Sequence, residues 1–251
     1  MNVKVVCSAC SRPAPGRTKC MYCGAATREI HTAVVGGDDP AAAVGAKLDA
    51  MRAAQLTPAQ RKALFDRACD KVVALVEAGR AEEALAAFDE ALAIETAPHL
   101  LLAKAQHQKQ MGRHAPALAT LEQALAIDRA LVDAWFEKAD LLETQGRLPE
   151  SLAAYDAVLA LAPRHARAHC DRGHVLGRMG RLPEALDAYT RALAIDGASL
   201  HAWFNKANAE ASLGQVGPAR DSFRRFLALG PPPGLRAQAD YARQMLAKLG
   251  G

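Results

Sequence analysis

Apolar and polar residues follow a helical rhythm in this chain, and the rhythm restarts on a fixed period. From residue 65 onward the pattern is self-similar every ~34 residues, enough for two short helices and a turn. A glycine marks the register at Gly79, Gly112, Gly146, Gly180 and Gly214, each followed by Arg or Gln and soon by a Pro or Glu suited to opening a helix. After each glycine, at constant spacing, comes a small residue: Ala84, Ala117, Ser151, Ala185 and Ala219. One turn later stands a large apolar one (Phe88, Leu121, Tyr155, Tyr189, Phe223), then Ala91, Ala124, Val158, Ala192 and Phe226. Trp135 and Trp203 fall at the same place two periods apart, and Pro163 and Pro231 close their periods. Small residues let paired helices approach closely, while the larger ring fills the wedge toward the next pair. A single pair leaves an apolar face uncovered, so the pairs must stack. The stripe Leu235, Ala239, Ala242, Leu246 and Leu249, following Pro231-Pro232-Pro233-Gly234, predicts a helix over 234–251 that lids the last pair. Thr57-Pro58 is a helix start, and Pro58 to Ala78 is long enough to be both opening cap and first helix.

These positions, in register through five copies, resemble the tetratricopeptide repeat family. The resemblance implies a mainly α protein, an α-solenoid in which helix-turn-helix units wind into a right-handed superhelix. The units would span 65–97, 98–131, 132–165, 166–199 and 200–233, within an array covering 57–233. Two departures are visible: Gln108 and Glu210 occupy a first-helix position where the family prefers a large apolar residue, and Ala68 stands where other units carry Trp. In this family the first helices line a concave groove that binds proteins or peptides. Transferred by register, the groove would display Asp66, Cys69, Asp70 and Val73, then His99, Leu102, Gln106 and Lys109. Asp133, Phe136, Glu137, Asp140 and Glu143 follow from the third unit, Arg167, Cys170, Asp171, His174 and Arg178 from the fourth, and His201, Phe204, Asn205 and Asn208 from the fifth. The third unit puts several carboxylates on one face beside Phe136, a strip suited to a basic or amphipathic peptide with the ring as anchor; the plainer reading is a solvated acidic face. The Lys/Asn/Arg clamp by which some members hold a terminal carboxylate is not matched, because only Asn205 and Asn208 correspond to it.

The first 35 residues follow a different logic. Four of the six cysteines fall here, as Cys7-x2-Cys10-x9-Cys20-x2-Cys23. Two tight turns facing each other would present four thiolates to one ion, a tetrahedral set suited to zinc. Val3, Val5 and Val6, then Thr18 to Tyr22, then Arg28 to Val35 would supply short strands. This resembles the zinc-ribbon modules, which implies Cys7, Cys10, Cys20 and Cys23 as ligands of one structural zinc and Gly24 as the glycine of the second turn; Ser11 replaces the first. The alternative is a pair of disulfides, which the absence of a secretory leader disfavours. Residues 36–56 then read as a linker carrying a short helix from about Pro40 to Gln55.

Composition narrows the function classes. The chain has 251 residues and 56 alanines, 51% hydrophobic but only 5% aromatic positions, which favours helix and excludes a β-sandwich. Its net charge of +4 lies in the first 30 residues, where Lys4, Arg12, Arg17, Lys19 and Arg28 face Glu29 alone. The neutral remainder lacks the basic stripe of a nucleic-acid binder. An alternative function, a nucleic-acid-associated regulatory factor, would therefore contact phosphates through Arg12, Arg17, Lys19 and Arg28 of the ribbon. No Gly-rich phosphate loop, nucleophile elbow or paired-histidine helix motif occurs, so the reading is non-enzymatic. Cys170 and His174, one turn apart with His165, His169 and His201 near in sequence, offer a second metal reading; His169, at a core position, reads as packing. No apolar run approaches the ~18 residues of a membrane span, which suggests a cytoplasmic protein with no membrane partner. The Ala-, Arg- and Leu-rich usage points to a GC-rich bacterial genome.

Overall fold

The computed structural model describes residues 56–250 and the backbone of 4–7 and 30–33. Strand β1 (Lys4–Cys7) pairs antiparallel with β2 (Ile30–Ala33), placing Cys7 opposite Ile30. Cys10, Cys20, Cys23 and the linker helix expected from Pro40 lie outside the described residues. The chain divides into two compact units between Thr96 and Ala97.

In the first unit, α1 (Pro58–Glu77) starts at the Thr57-Pro58 signal. Thr57 Oγ1 accepts from the Gln60 backbone N–H at 3.3 Å while Gln60 Oε1 accepts from Thr57 N–H at 2.9 Å, a reciprocal cap with proline at the first helical position. It packs on α2 (Ala81–Ile94), which buries Ala84, Ala87, Phe88 and Ala91. Lys71 and Glu90 pair across the hairpin at 2.7 Å.

The second unit holds four hairpins: α3 (Pro98–Gln110) with α4 (His114–Ile127), α5 (Val132–Thr144) with α6 (Leu148–Leu161), α7 (Ala166–Arg178) with α8 (Leu182–Ile195), and α9 (Leu200–Ser212) with α10 (Val216–Ala228). After a short 3₁₀ turn, Pro233–Leu235, helix α11 (Arg236–Lys248) covers the last hairpin. Among the described residues of this unit, substantial contacts join only helices adjacent or next-but-one along the chain, the arrangement of a stack and not of an interlocked bundle. The small, large and small positions read from the sequence are all interior: Ser151, Tyr155 and Val158 have no exposure, and Ala219, Phe223 and Phe226 essentially none. Each such ring stabilises the stack by about 2–3 kcal/mol relative to leaving it in water. The expected lid residues all join the last core cluster: Ala239 and Ala242 lie in it with Ala207, Phe223 and Phe226, and Leu235, Leu246 and Leu249 pack against it.

The recurring glycines end the first helices. Gly146 has φ 75°, a left-handed turn that costs a residue with a Cβ about 1–2 kcal/mol. There the Gly146 N–H donates to Glu143 O at 2.9 Å and Arg147 N–H to Leu142 O at 2.9 Å, satisfying carbonyls the helix leaves open. Gly112, Gly180 and Gly214 repeat both bonds. The Arg that follows then grips the first turn of the next helix: Arg147 holds Glu150 through Nε and a terminal nitrogen at 2.7 and 2.5 Å, and Arg80–Glu83 and Arg181–Glu184 do the same. Gly173 serves a close approach instead, since a Cβ there would lie 2.7 Å from the Tyr189 ring.

The two polar departures from the repeat are buried. Gln108 sits with its Oε1 2.9 Å from the Thr120 hydroxyl. Glu210, 4% exposed, takes Lys206 at 3.0 Å on one oxygen and has no partner on the other. Along the repeat, Leu75, Gln108, Leu142, Leu176 and Glu210 are equivalent positions, and twelve residues after each stand Ala87, Thr120, Ala154, Ala188 and Ser222. Wherever the first helix turns polar, the second supplies a hydroxyl.

Candidate interaction surface

The first helices of the second unit, α3, α5, α7 and α9, carry the residues assigned by register to a groove. Rows of equivalent positions run across them, and the rows differ in what they do. The row Leu102, Phe136, Cys170, Phe204 is a packing seam. Phe136, expected as an exposed anchor, is only 9% exposed. Its ring meets Tyr155 edge-on at 5.6 Å, stacks on His165 at 5.3 Å and lies under the Arg167 guanidinium at 4.8 Å. The position points between hairpins, where a large ring gains more from contact than from display. Phe204 is half-buried among Phe223, Phe226 and Tyr241 of the capping helix. Burial pushes the Cys170 thiol up to about 12, so it is a packed, unreactive group.

The carboxylate strip exists but is braced. Lys109, from the preceding hairpin, bridges Glu137 at 2.7 Å and Asp140, and Gln106 donates to the other Glu137 oxygen at 3.1 Å. Burial alone would lower the Lys109 ammonium; the hydrogen bonds to Asp140 and Glu137 outweigh it and raise its pKa. From the following hairpin, His174 Nδ1 lies 2.7 Å from Glu143 Oε1, and Arg178 donates to the Glu143 carbonyl and carboxylate at 3.2 and 3.3 Å. The Glu143 hydrogen bond raises the His174 pKa. Burial raises Asp171, against the pull of Arg167 at 3.4 Å. Asp133 and His201 are exposed, and Arg167 keeps 71% of its side chain in solvent. Asn205 hydrogen-bonds Cys170, and the Asn208 amide ties back to Phe204 O at 3.0 Å.

Five carboxylates (Asp133, Glu137, Asp140, Glu143, Asp171) thus share this face with three fixed cations, Lys109, Arg167 and Arg178, leaving it acidic. Beneath it lies a group whose place in the repeat marks it only as packing. The Tyr155 hydroxyl is fully buried and has no hydrogen-bond partner, and the charges acting on it are Asp171, Glu143, Asp140 and Arg167, all of the groove rows. Its signal was one letter: Tyr where the first, second and fifth repeats have Phe or Leu.

Of the histidines considered for a second metal site, His165, His169 and His174 each have a separate partner. His165 Nδ1 accepts the Ala168 N–H at 3.0 Å as a helix cap. His169 Nε2 donates to Pro163 O at 2.9 Å, the same bond that Trp135 and Trp203 make to Arg129 O and Gly197 O. Among the described residues no three metal-ligating side chains converge. No helix among them is long and apolar enough to cross a membrane.

A tetratricopeptide-repeat family model matches residues 131–198 and a second one residues 170–232. No curated protein matches the sequence significantly. Among solved structures, MamA from Desulfovibrio magneticus RS-1 superposes with a TM-score of 0.62 at 19% identity, covering 66% of this chain and 94% of its own. TTC0263, a thermophilic TPR protein of Thermus thermophilus, gives 0.54 at 22% identity over 72% of this chain and 99% of its own. YrrB, described as a TPR protein with an unusual peptide-binding site, gives 0.60 at 19% identity over 69% and 88%. The stacked hairpins of residues 131–232 are tetratricopeptide repeats.

Proposed function

We propose that this protein is a non-catalytic scaffold that binds a protein segment across the first-helix face of α5, α7 and α9, and that the segment is basic. The observation that carries the reading is the acidic balance of that face at the junction of the third and fourth repeats. A peptide ammonium or guanidinium would compete with Lys109 and Arg178 for carboxylates already drawn together by those cations. Peptide binding by a protein of similar fold, YrrB, supports the class of ligand. The buried Phe136 removes the aromatic anchor from the expected recognition, leaving polar contacts to set specificity. An array of peptides of graded charge tests this with the full chain. Lys/Arg-rich peptides should bind, weaken with salt, and lose about tenfold in D140N or D171N; preference for acidic peptides would contradict it.

For the N-terminal segment we propose one structural zinc held by Cys7, Cys10, Cys20 and Cys23. The donor set carries it: two Cys-x2-Cys pairs supply four thiolates and leave no open coordination position. Metal analysis of protein purified without added zinc should find about one ion per chain, lost in C20S. Four oxidised cysteines and no metal would contradict it.

A further inference from the structure

On the other side of the stack, a crevice of about 610 Å³ opens between the third and fourth hairpins. It is lined by α6, α7, α8 and the turn at Pro163, with Leu159, Ala194 and Ile195 as apolar wall. His169 and Arg172 reach it from α7, two positions out of step with the groove residues Asp171 and His174 and hence roughly 200° around the helix. The crevice lies where one residue departs from its neighbours in the repeat. At the same position the neighbouring repeats carry Trp135 and Trp203, each donating its indole N–H to a carbonyl six residues back and each lying under a lysine, Lys138 at 5.6 Å and Lys206 at 5.4 Å. The fourth repeat keeps the carbonyl bond through the smaller His169 and places Arg172 where the lysines stand. The space and the cation of an indole site remain; the indole is missing from the chain. Three arginines also surround the opening. Arg172 is paired with Asp156 at 2.6 Å and Arg191 with Asp187 at 2.9 Å, so Arg164 supplies surplus positive charge.

We infer that this crevice receives an aromatic side chain of a protein partner, flanked by a carboxylate that Arg164 holds. The site is separate from the groove and carries the opposite charge preference, so its partner segment is acidic and aromatic where the groove's is basic. A ring there would lie on Leu159 and Ile195 and under the Arg172 guanidinium, gaining cation–π as well as burial energy.

The probe is 3-indolepropionate, titrated into the full chain and followed by NMR. Saturable shifts at His169, Arg172 and Leu159 are expected, with a dissociation constant of about 1 mM, the affinity a ligand of that size sustains. Propionate alone should give none. H169W fills the crevice from within using a residue that two sister repeats already accommodate; it should abolish the shifts and raise the unfolding temperature. R164A should weaken binding about tenfold without altering the unfolding temperature, which keeps the test sound should H169W fold poorly. Absence of saturable shifts, equal shifts from propionate, or binding unchanged in R164A would overturn the inference, and none of these results bears on the basic peptide proposed for the groove.

Discussion

Gln108 and Glu210 occupy the same interior position in the second and fifth repeats and meet the same problem unequally. Gln108 is neutral and faces the Thr120 hydroxyl at 2.9 Å. Glu210 depends on Lys206 for one oxygen and leaves the other without a partner. The third and fourth repeats avoid the problem with Leu142 and Leu176 against alanines. A neutral polar pair can replace an apolar one inside a hairpin at little cost, whereas a carboxylate needs a cation and still stays partly stranded.

That difference can be sharpened by substitution. Lys206→Met should have the largest effect, lowering stability by about 3 kcal/mol in chemical denaturation, because a buried carboxylate loses the cation that pairs with it. Glu210→Leu with Ser222→Ala should move the other way, raising stability by about 1–2 kcal/mol. Thr120→Val strands Gln108 and should cost about 1 kcal/mol. Gln108→Leu with Thr120→Ala, which converts the second repeat to the pattern of the third, should be nearly neutral. Equal responses of the two double variants would break the distinction.

A milder effect belongs to the surface network. Glu143 raises the His174 pKa, so the folded state binds the proton more tightly than the unfolded chain. The pair's contribution is therefore complete below about pH 6.5 and fades as pH rises through the elevated folded value. An NMR titration should place His174 above its ordinary midpoint and E143Q should bring it down, with Asp171 and Arg178 exerting smaller opposing influences. Arg147→Ala should do least, since the Arg147–Glu150 grip lies at the solvent-exposed surface and the Gly146 turn bonds remain.

The stack was legible because a repeat averages out local noise. Five copies of the glycine, the small residue and the large apolar one marked the hairpins, and Thr57-Pro58 and the Leu235-to-Leu249 stripe located both end helices. Side-chain direction within a row was harder to read. Phe136 follows the groove register by position, yet its size draws it into the seam beside Tyr155, and sequence spacing alone does not weigh that gain. The bracing of the acidic strip was hidden for a related reason: Lys109, Glu137 and His174 lie about 30 residues apart, and only stacking brings their ends together. The Thr120 hydroxyl that answers Gln108 stood in the sequence but required the helix-to-helix contact to be recognised.

The central claim is that the first-helix face of α5, α7 and α9 is where a partner segment lies. Hydrogen exchange of the full chain with and without a saturating Lys/Arg-rich peptide tests it most directly. The account expects slowed exchange over Val132–Thr144, Ala166–Arg178 and Leu200–Ser212, absent in a D140N/D171N variant. Protection confined to Leu148–Leu161 and Leu182–Ile195, or none at saturation, would contradict it.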